Sequence, residues 1–144
     1  MGCSRREFLK IVNASLGAGA VALTLPACGG TGSVDGSVTV SNGQAVLTFS
    51  QFPALMAAGG GVVVSASGTP IAVIRTTATT AVALSGVCTH AGCTVNYNGN
   101  NDLYCGCHGS MFSSTGAVLV GPARAPLSQF TATLNAADVT VTGV

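Results

Sequence analysis

The sequence predicts an all-β domain over residues 34–144, and three observations predict it. Short runs rich in Val, Ile, Ala and Thr recur through that span. Turn residues punctuate them, among them Asn42-Gly43 and Gly59-Gly60-Gly61. No period of 3.6 is sustained beyond the first 25 or so residues, and no internal repeat is visible.

The elements follow in order. Val38-Thr39-Val40, Asn42-Gly43 and Ala45-Val46-Leu47-Thr48-Phe49 read as a hairpin, because Asn-Gly supplies the two positive φ angles of a tight turn. Residues 51–58 read as one short helical turn, with Phe52, Leu55 and Met56 spaced as core anchors and the three glycines ending it. Val62-Val63-Val64, Ile71-Ala72-Val73-Ile74 and Ala81-Val82-Ala83-Leu84 are strand-like runs. The tract Thr76-Thr77-Ala78-Thr79-Thr80 between the last two is a polar loop or edge. Asn96-Tyr97-Asn98-Gly99-Asn100-Asn101 is a tight turn. Residues 127–134 and 139–141 supply two closing strands.

Composition excludes several functions. Residues 34–144 suffice for one modest core. Charge is nearly absent: beyond Cys28 only Asp35, Arg75, Asp102, Arg124 and Asp138 remain. Without a basic patch, nucleic acid is not a partner. Without a surface of one sign, strong electrostatic steering is excluded, and docking rests on apolar and backbone contacts. No G-x-G-x-x-G or phosphate-binding loop occurs.

The chemistry lies in two clusters, Cys88-Thr89-His90-Ala91-Gly92-Cys93 and Cys105-Gly106-Cys107-His108-Gly109-Ser110. Finger-type zinc sites pair Cys with Cys and His with His. Here each loop mixes the two, with Cys-x-His in the first and Cys-x-x-His in the second. From the residues alone, three chemistries stand: a structural zinc site, disulfides with incidental histidines, and a mixed-ligand iron–sulfur centre.

The two loops, with Gly109-Ser110-Met111-Phe112, Gly116, Gly121-Pro122-Ala123 and Pro126-Leu127 behind them, resemble the Rieske 2Fe–2S family. In that family two His replace two Cys on one of the two irons. The likeness is to its disulfide-containing branch, as in cytochrome bc-type and arsenite oxidase small subunits, and is detailed over residues 88–127. It implies that Cys88 and Cys105 ligate one iron of a 2Fe–2S cluster, that His90 and His108 ligate the other, and that Cys93 and Cys107 form a disulfide. It implies that Gly121 and Pro122 begin a loop covering the cluster. It places Ser110 where a hydroxyl donates to a bridging sulfide, and Phe112 where high-potential members carry a Tyr. One donor without the other implies an intermediate potential. The stretch between His90 and Cys105 is short for the family and lacks the insertions of larger relatives. The implied fold is a Rieske-type one: an antiparallel β-sandwich-like base, residues 36–144, with a cluster-binding lobe inserted at about residues 86–126.

The N-terminus carries a separate message. Ser4-Arg5-Arg6-Glu7-Phe8-Leu9-Lys10 looks like a twin-arginine export signal. The stretch over residues 11–25 is too short and polar for a spanning helix, which needs about 20 mostly apolar residues. Basic-then-apolar layout is that of a signal peptide. Leu25-Pro26-Ala27-Cys28-Gly29 resembles a lipobox, with Cys28 as the lipid anchor, although Pro26 departs from the usual pattern. Residues 1–28 then form the leader and 29–35 a flexible tether. A disulfide suits an exported protein.

Together these readings give an electron carrier on the periplasmic side of a bacterial membrane, with no catalysis of its own. Its partners would be a cytochrome or oxidoreductase subunit, quinol in some settings, and the membrane itself. The jobs open to it are the Rieske subunit of a quinol–cytochrome c reductase, the small subunit of an arsenite-oxidase-like enzyme, and a free-standing lipoprotein. A zinc-stabilised binding module is the remaining class.

Overall fold

The computed structural model describes residues 34–144. The twin-arginine and lipobox readings, with Cys3 and Cys28, lie outside the described residues. Twelve strands and one 3₁₀ turn follow in chain order: β1 Gly36–Val38, β2 Val40–Ser41, β3 Gln44–Thr48, the turn η1 Pro53–Met56, β4 Gly60–Ala66, β5 Thr69–Arg75, β6 Val82–Ser85, β7 Asn96–Tyr97, β8 Asp102–Tyr104, β9 Met111–Ser113, β10 Val118–Val120, β11 Gln129–Leu134 and β12 Asp138–Thr142. The all-β reading holds.

Eight strands form one sheet in the order β1-β4-β5-β6-β11-β12-β3-β2, and four form a second in the order β10-β9-β8-β7. β1 pairs with β4 in parallel, and the other ladders are antiparallel. Val38 and Val40 are two residues apart, yet their strands lie at opposite ends of the large sheet. The sheet must therefore curl until its two edges meet, and it encloses a core of Ala45, Leu47, Leu55, Val62, Val64, Ile71, Val73, Val139 and Val141.

This corrects the hairpin reading of Val38-Thr39-Val40, which is not one strand. The ladder breaks at Thr39, where the Ser67 N–H donates to Val38 O and the Val40 N–H to Ser67 Oγ. The Asn42-Gly43 turn itself is present, with φ of 53° and 72° joining β2 to β3. Met56 is corrected too. Phe52 and Leu55 are buried, but Met56 is 63% exposed, because the 3₁₀ turn is too short to bring it back to the core.

The smaller sheet, β7–β10, lies in the chain between β6 and β11, which pair with each other at Leu84↔Gln129 and Ala83↔Phe130. It packs on the outer face of β4–β6. Val63, Ala72, Ile74 and Leu84 point outward into a second core with Val95, Leu103, Phe112 and Leu127. Both faces of β4 and β5 are thus covered, which is why these strands read as continuous apolar runs. β3, covered on one face, alternates. The two lobes touch closely where a Cβ on Gly61 of β4 would come 2.8 Å from the Tyr97 ring of β7. The Tyr97 hydroxyl donates to Gly59 O from the same contact.

Candidate metal centre

The two cysteine–histidine loops are built alike. Each starts at a buried cysteine and returns by two backbone hydrogen bonds. The Gly92 N–H donates to Cys88 O at 2.9 Å and the Cys88 N–H to Cys93 O at 2.8 Å. The Gly109 N–H donates to Cys105 O at 2.9 Å and the Cys105 N–H to Ser110 O at 2.8 Å. Each loop turns at the fourth residue after its cysteine, with φ of 76° at Gly92 and 82° at Gly109, where a side chain would be strained. Sequence reading overlooked both glycines as site residues, although their equal offset from Cys88 and Cys105 was there to see. Neighbouring strands fix the loops: the Val87↔Thr94 bridge closes the first, and β8–β9 flank the second.

This construction brings the two histidine rings to each other and the two thiols outside the disulfide to each other. The rings of His90 and His108 are exposed and meet edge to face, with Nδ1 atoms 3.3 Å apart and centroids at 4.7 Å. Cys88 and Cys105 are buried and outside any disulfide. Burial, and then the hydrogen bond with the Cys88 side chain, push the Cys105 thiol above its ordinary range. Cys93 and Cys107 are joined in a disulfide that ties the loops to each other. The sulfurs of Cys93, Cys105 and Cys107 also lie within 4.8 Å of one another. Two of the three are oxidised, so that trio is not a ligand set.

Geometry tests whether the donors fit a metal centre. Two nitrogens each about 2.1 Å from a tetrahedral ion sit about 3.4 Å apart, and the two Nδ1 atoms are 3.3 Å apart. The two thiols, one from each loop, are in contact with each other and buried, whereas the histidines are exposed. Thiol and imidazole pairs arranged this way fit a centre with sulfur ligands on its inner side and nitrogen ligands at the surface.

The loop after β10 covers the pair. Ser110 is fully buried, and its Oγ accepts from the Ala123 N–H at 3.0 Å. Thr89 Oγ1 donates to Ala125 O at 2.6 Å. Each cluster loop is thereby tied to the covering loop once. Phe112 is fully buried beside Cys88 and Cys105 in the second core, whereas Gly121 and Pro122 are exposed at the rim. Pro122, Thr89, His90 and Arg124 line a depression of about 300 Å³. Arg124 had no assigned role in the sequence, since only the folded loop sets it beside His90.

Known proteins match this arrangement. The Rieske [2Fe-2S] domain model matches residues 46–131. The chain is similar to the cytochrome b6-f complex iron-sulfur subunit of Chlorobaculum thiosulfatiphilum, at 38% identity over 60 residues, or 41% of this chain and 33% of that one. It is similar to the same subunit of Trichodesmium erythraeum (strain IMS101), at 48% over 56 residues, 38% and 30% of the two chains. The match thus spans about a third of the length of these curated relatives. Among solved structures, the plasma membrane Rieske protein PetC3 from Synechocystis PCC 6803 superposes with a TM-score of 0.55 at 28% identity, covering 67% of this chain and 95% of that one. The complex of reduced oxygenase and oxidized ferredoxin in carbazole 1,9a-dioxygenase contains a chain with a TM-score of 0.57 at 25% identity, covering 72% and 95%.

Proposed function

The chain belongs to the Rieske [2Fe-2S] domain family, and from that premise we propose that it carries single electrons at the periplasmic face of a bacterial membrane, with Cys88 and Cys105 on one iron and His90 and His108 on the other. The bound cluster of this family supplies reversible one-electron chemistry, at about −150 to +300 mV where His replaces Cys on one iron. The observation that supports the ligand assignment is the 3.3 Å approach of the Nδ1 atoms of two exposed histidines from the same two loops that each contribute one buried thiol outside the disulfide.

The chain's own residues divide the work. Cys88 and Cys105 hold the inner side away from water, and the Cys93–Cys107 disulfide keeps the loops from parting. With the two Nδ1 atoms facing each other, Nε2 of each exposed ring is the nitrogen left to hold a proton. Ser110 accepts from Ala123 and keeps its own hydroxyl proton for a further acceptor. Phe112 has no such proton to offer.

An EPR-monitored redox titration of the iron-loaded protein at several pH values tests the reading. A signal with average g below that of all-cysteine clusters, and a midpoint falling as pH rises, is expected. Iron-replete protein without that signal would return the zinc account to the front.

The partner we favour is a cytochrome b6-f- or bc-type complex, supported by curated relatives that are cytochrome b6-f iron–sulfur subunits. A second reading, a free-standing carrier held to the membrane, is supported by the likeness to a plasma membrane Rieske protein over 95% of that chain. Export by the twin-arginine route and lipidation at Cys28 belong to both. Pull-down of the full chain from detergent-solubilised membranes separates them: a haem-containing complex in stoichiometric amount supports the first, and the chain alone supports the second.

A further inference from the structure

We propose that Arg124 is the docking anchor of this molecule's electron-transfer tip, and that the partner it fits presents a carboxylate over His90. The inference rests on the reading of His90 as a cluster ligand.

The described residues hold two cations, and they behave differently. Arg75 is spent on the fold: its guanidinium donates to the carbonyls of Leu55, Met56, Thr77 and Ala78 and lies 5.6 Å from the Phe49 ring centroid. Arg124 is exposed and lines the same depression as His90. The three acids lie elsewhere. Asp35 accepts from the Val63 N–H on β4, Asp138 accepts from Asn135 and Thr140, and Asp102 begins β8 by the 98–101 turn. A larger depression of about 440 Å³ at the β1–β3 end is lined by no charged side chain. Among the described residues, a single formal positive charge therefore marks the histidine tip, and the other four charged side chains lie away from it.

The backbone that carries this charge is also held in place. Arg124 lies between Ala123, whose N–H is bound by Ser110 of one cluster loop, and Ala125, whose carbonyl is bound by Thr89 of the other. An ordinary surface arginine rides on a mobile loop and loses entropy when it pairs. Here both neighbours are pinned to the loops that carry the histidines, so the backbone part of that ordering is complete before the partner arrives. A guanidinium matches a carboxylate in a planar two-point pair, which fixes orientation as well as approach. Exposed Pro122 lines the same depression, and Leu119 and Val120 are exposed on β10, the strand that leads into this loop. The surface is that of a small apolar contact registered by one charged pair.

Small redox reagents of opposite charge test this. Reduced iron-loaded protein is mixed in stopped flow with hexacyanoferrate(III), an anion, and with tris(phenanthroline)cobalt(III), a cation. The anion should oxidise the wild type faster than Arg124→Gln by roughly fivefold at an ionic strength of about 0.01 M, and faster than Arg124→Glu by roughly 25-fold, with the cation showing the reverse order and both effects fading near 1 M salt. Redox-inert hexacyanocobaltate(III) gives a second reading without electron transfer. Its cobalt resonance should broaden with the wild type and not with Arg124→Glu. Rates that move together for both reagents, or that ignore charge reversal, overturn the inference while an intact EPR signal leaves the cluster reading standing. A protein with no reducible iron–sulfur signal overturns both.

Discussion

Replacing Ser110 by Ala should lower both the stability and the potential of the protein, and the two losses have separate origins. Ser110 is fully buried, and Ala123, whose N–H it accepts, is 5% exposed. With the hydroxyl gone, that N–H has no acceptor and too little room for water. An unsatisfied buried donor costs about 1–3 kcal/mol. For a domain of this size, that corresponds to a fall in Tm of roughly 4–12 °C. The hydroxyl also keeps its own proton, and a hydrogen bond to a charged acceptor contributes about 1.5–3 kcal/mol. If that proton faces the cluster, its loss lowers the midpoint by about 65–130 mV, at 59 mV per tenfold for one electron. Thermal unfolding and a redox titration on the same preparation read the two effects. Thr89→Val is the comparison, because it removes the other tie to the covering loop at an exposed site, and it should cost under about 1 kcal/mol. Ser110→Ala with Tm and midpoint both unchanged would refute the reasoning. A lower Tm with an unchanged midpoint would show that the hydroxyl holds the loop and does not tune the cluster.

Other perturbations separate the remaining features. Phe112→Tyr should raise the midpoint if its added hydroxyl reaches a cysteine sulfur, and redox titration at fixed pH decides it. Cys93→Ser opens a cross-link between residues 14 apart, which is worth about 3 kcal/mol; the variant should still take up iron but unfold at lower denaturant. Gly61→Ala sets a methyl 2.8 Å from the Tyr97 ring and should destabilise the contact between the lobes by about 1–3 kcal/mol, read as a lower urea midpoint. In protein prepared without iron, burial and then Cys88 raise the Cys105 thiol. The unfolded chain therefore loses that proton first, so this contribution is whole below the ordinary thiol value of 9.0 and falls away as pH rises through the raised one. The urea midpoint of cluster-free protein should hold up to about pH 9 and drop as pH rises beyond it.

Much of the base was legible because its signals are local. Val62-Val63-Val64 and Ile71–Ile74 announce strands covered on both faces, and Asn42-Gly43 announces its turn, whatever the rest of the chain does. The failures came where a local pattern had two tertiary outcomes. Val38 and Val40 share a period-2 face and read as one strand, but Ser67, from the turn between β4 and β5, intervenes between them. Met56 has the spacing of a helical anchor, but the turn over Pro53–Met56 ends before that spacing applies.

The metal centre divides along the same line. Each loop carries its cysteine and histidine within four residues, so one short turn sets their relation, and Gly92 and Gly109 make that turn the same way twice. Two copies of a local device then need their flanking strands, the disulfide and the ties to the covering loop to hold them against each other. Arg124's place beside His90 depends on long-range facts: it stands 34 positions after His90, and the four-stranded sheet β7–β10 and two side-chain ties bring it back. The covering-loop motif, Gly121-Pro122-Ala123 and Pro126-Leu127, encloses Arg124 but assigns nothing to its position. That is why residue types found the candidate ligands, whereas the surface that would select a partner emerged only from the fold.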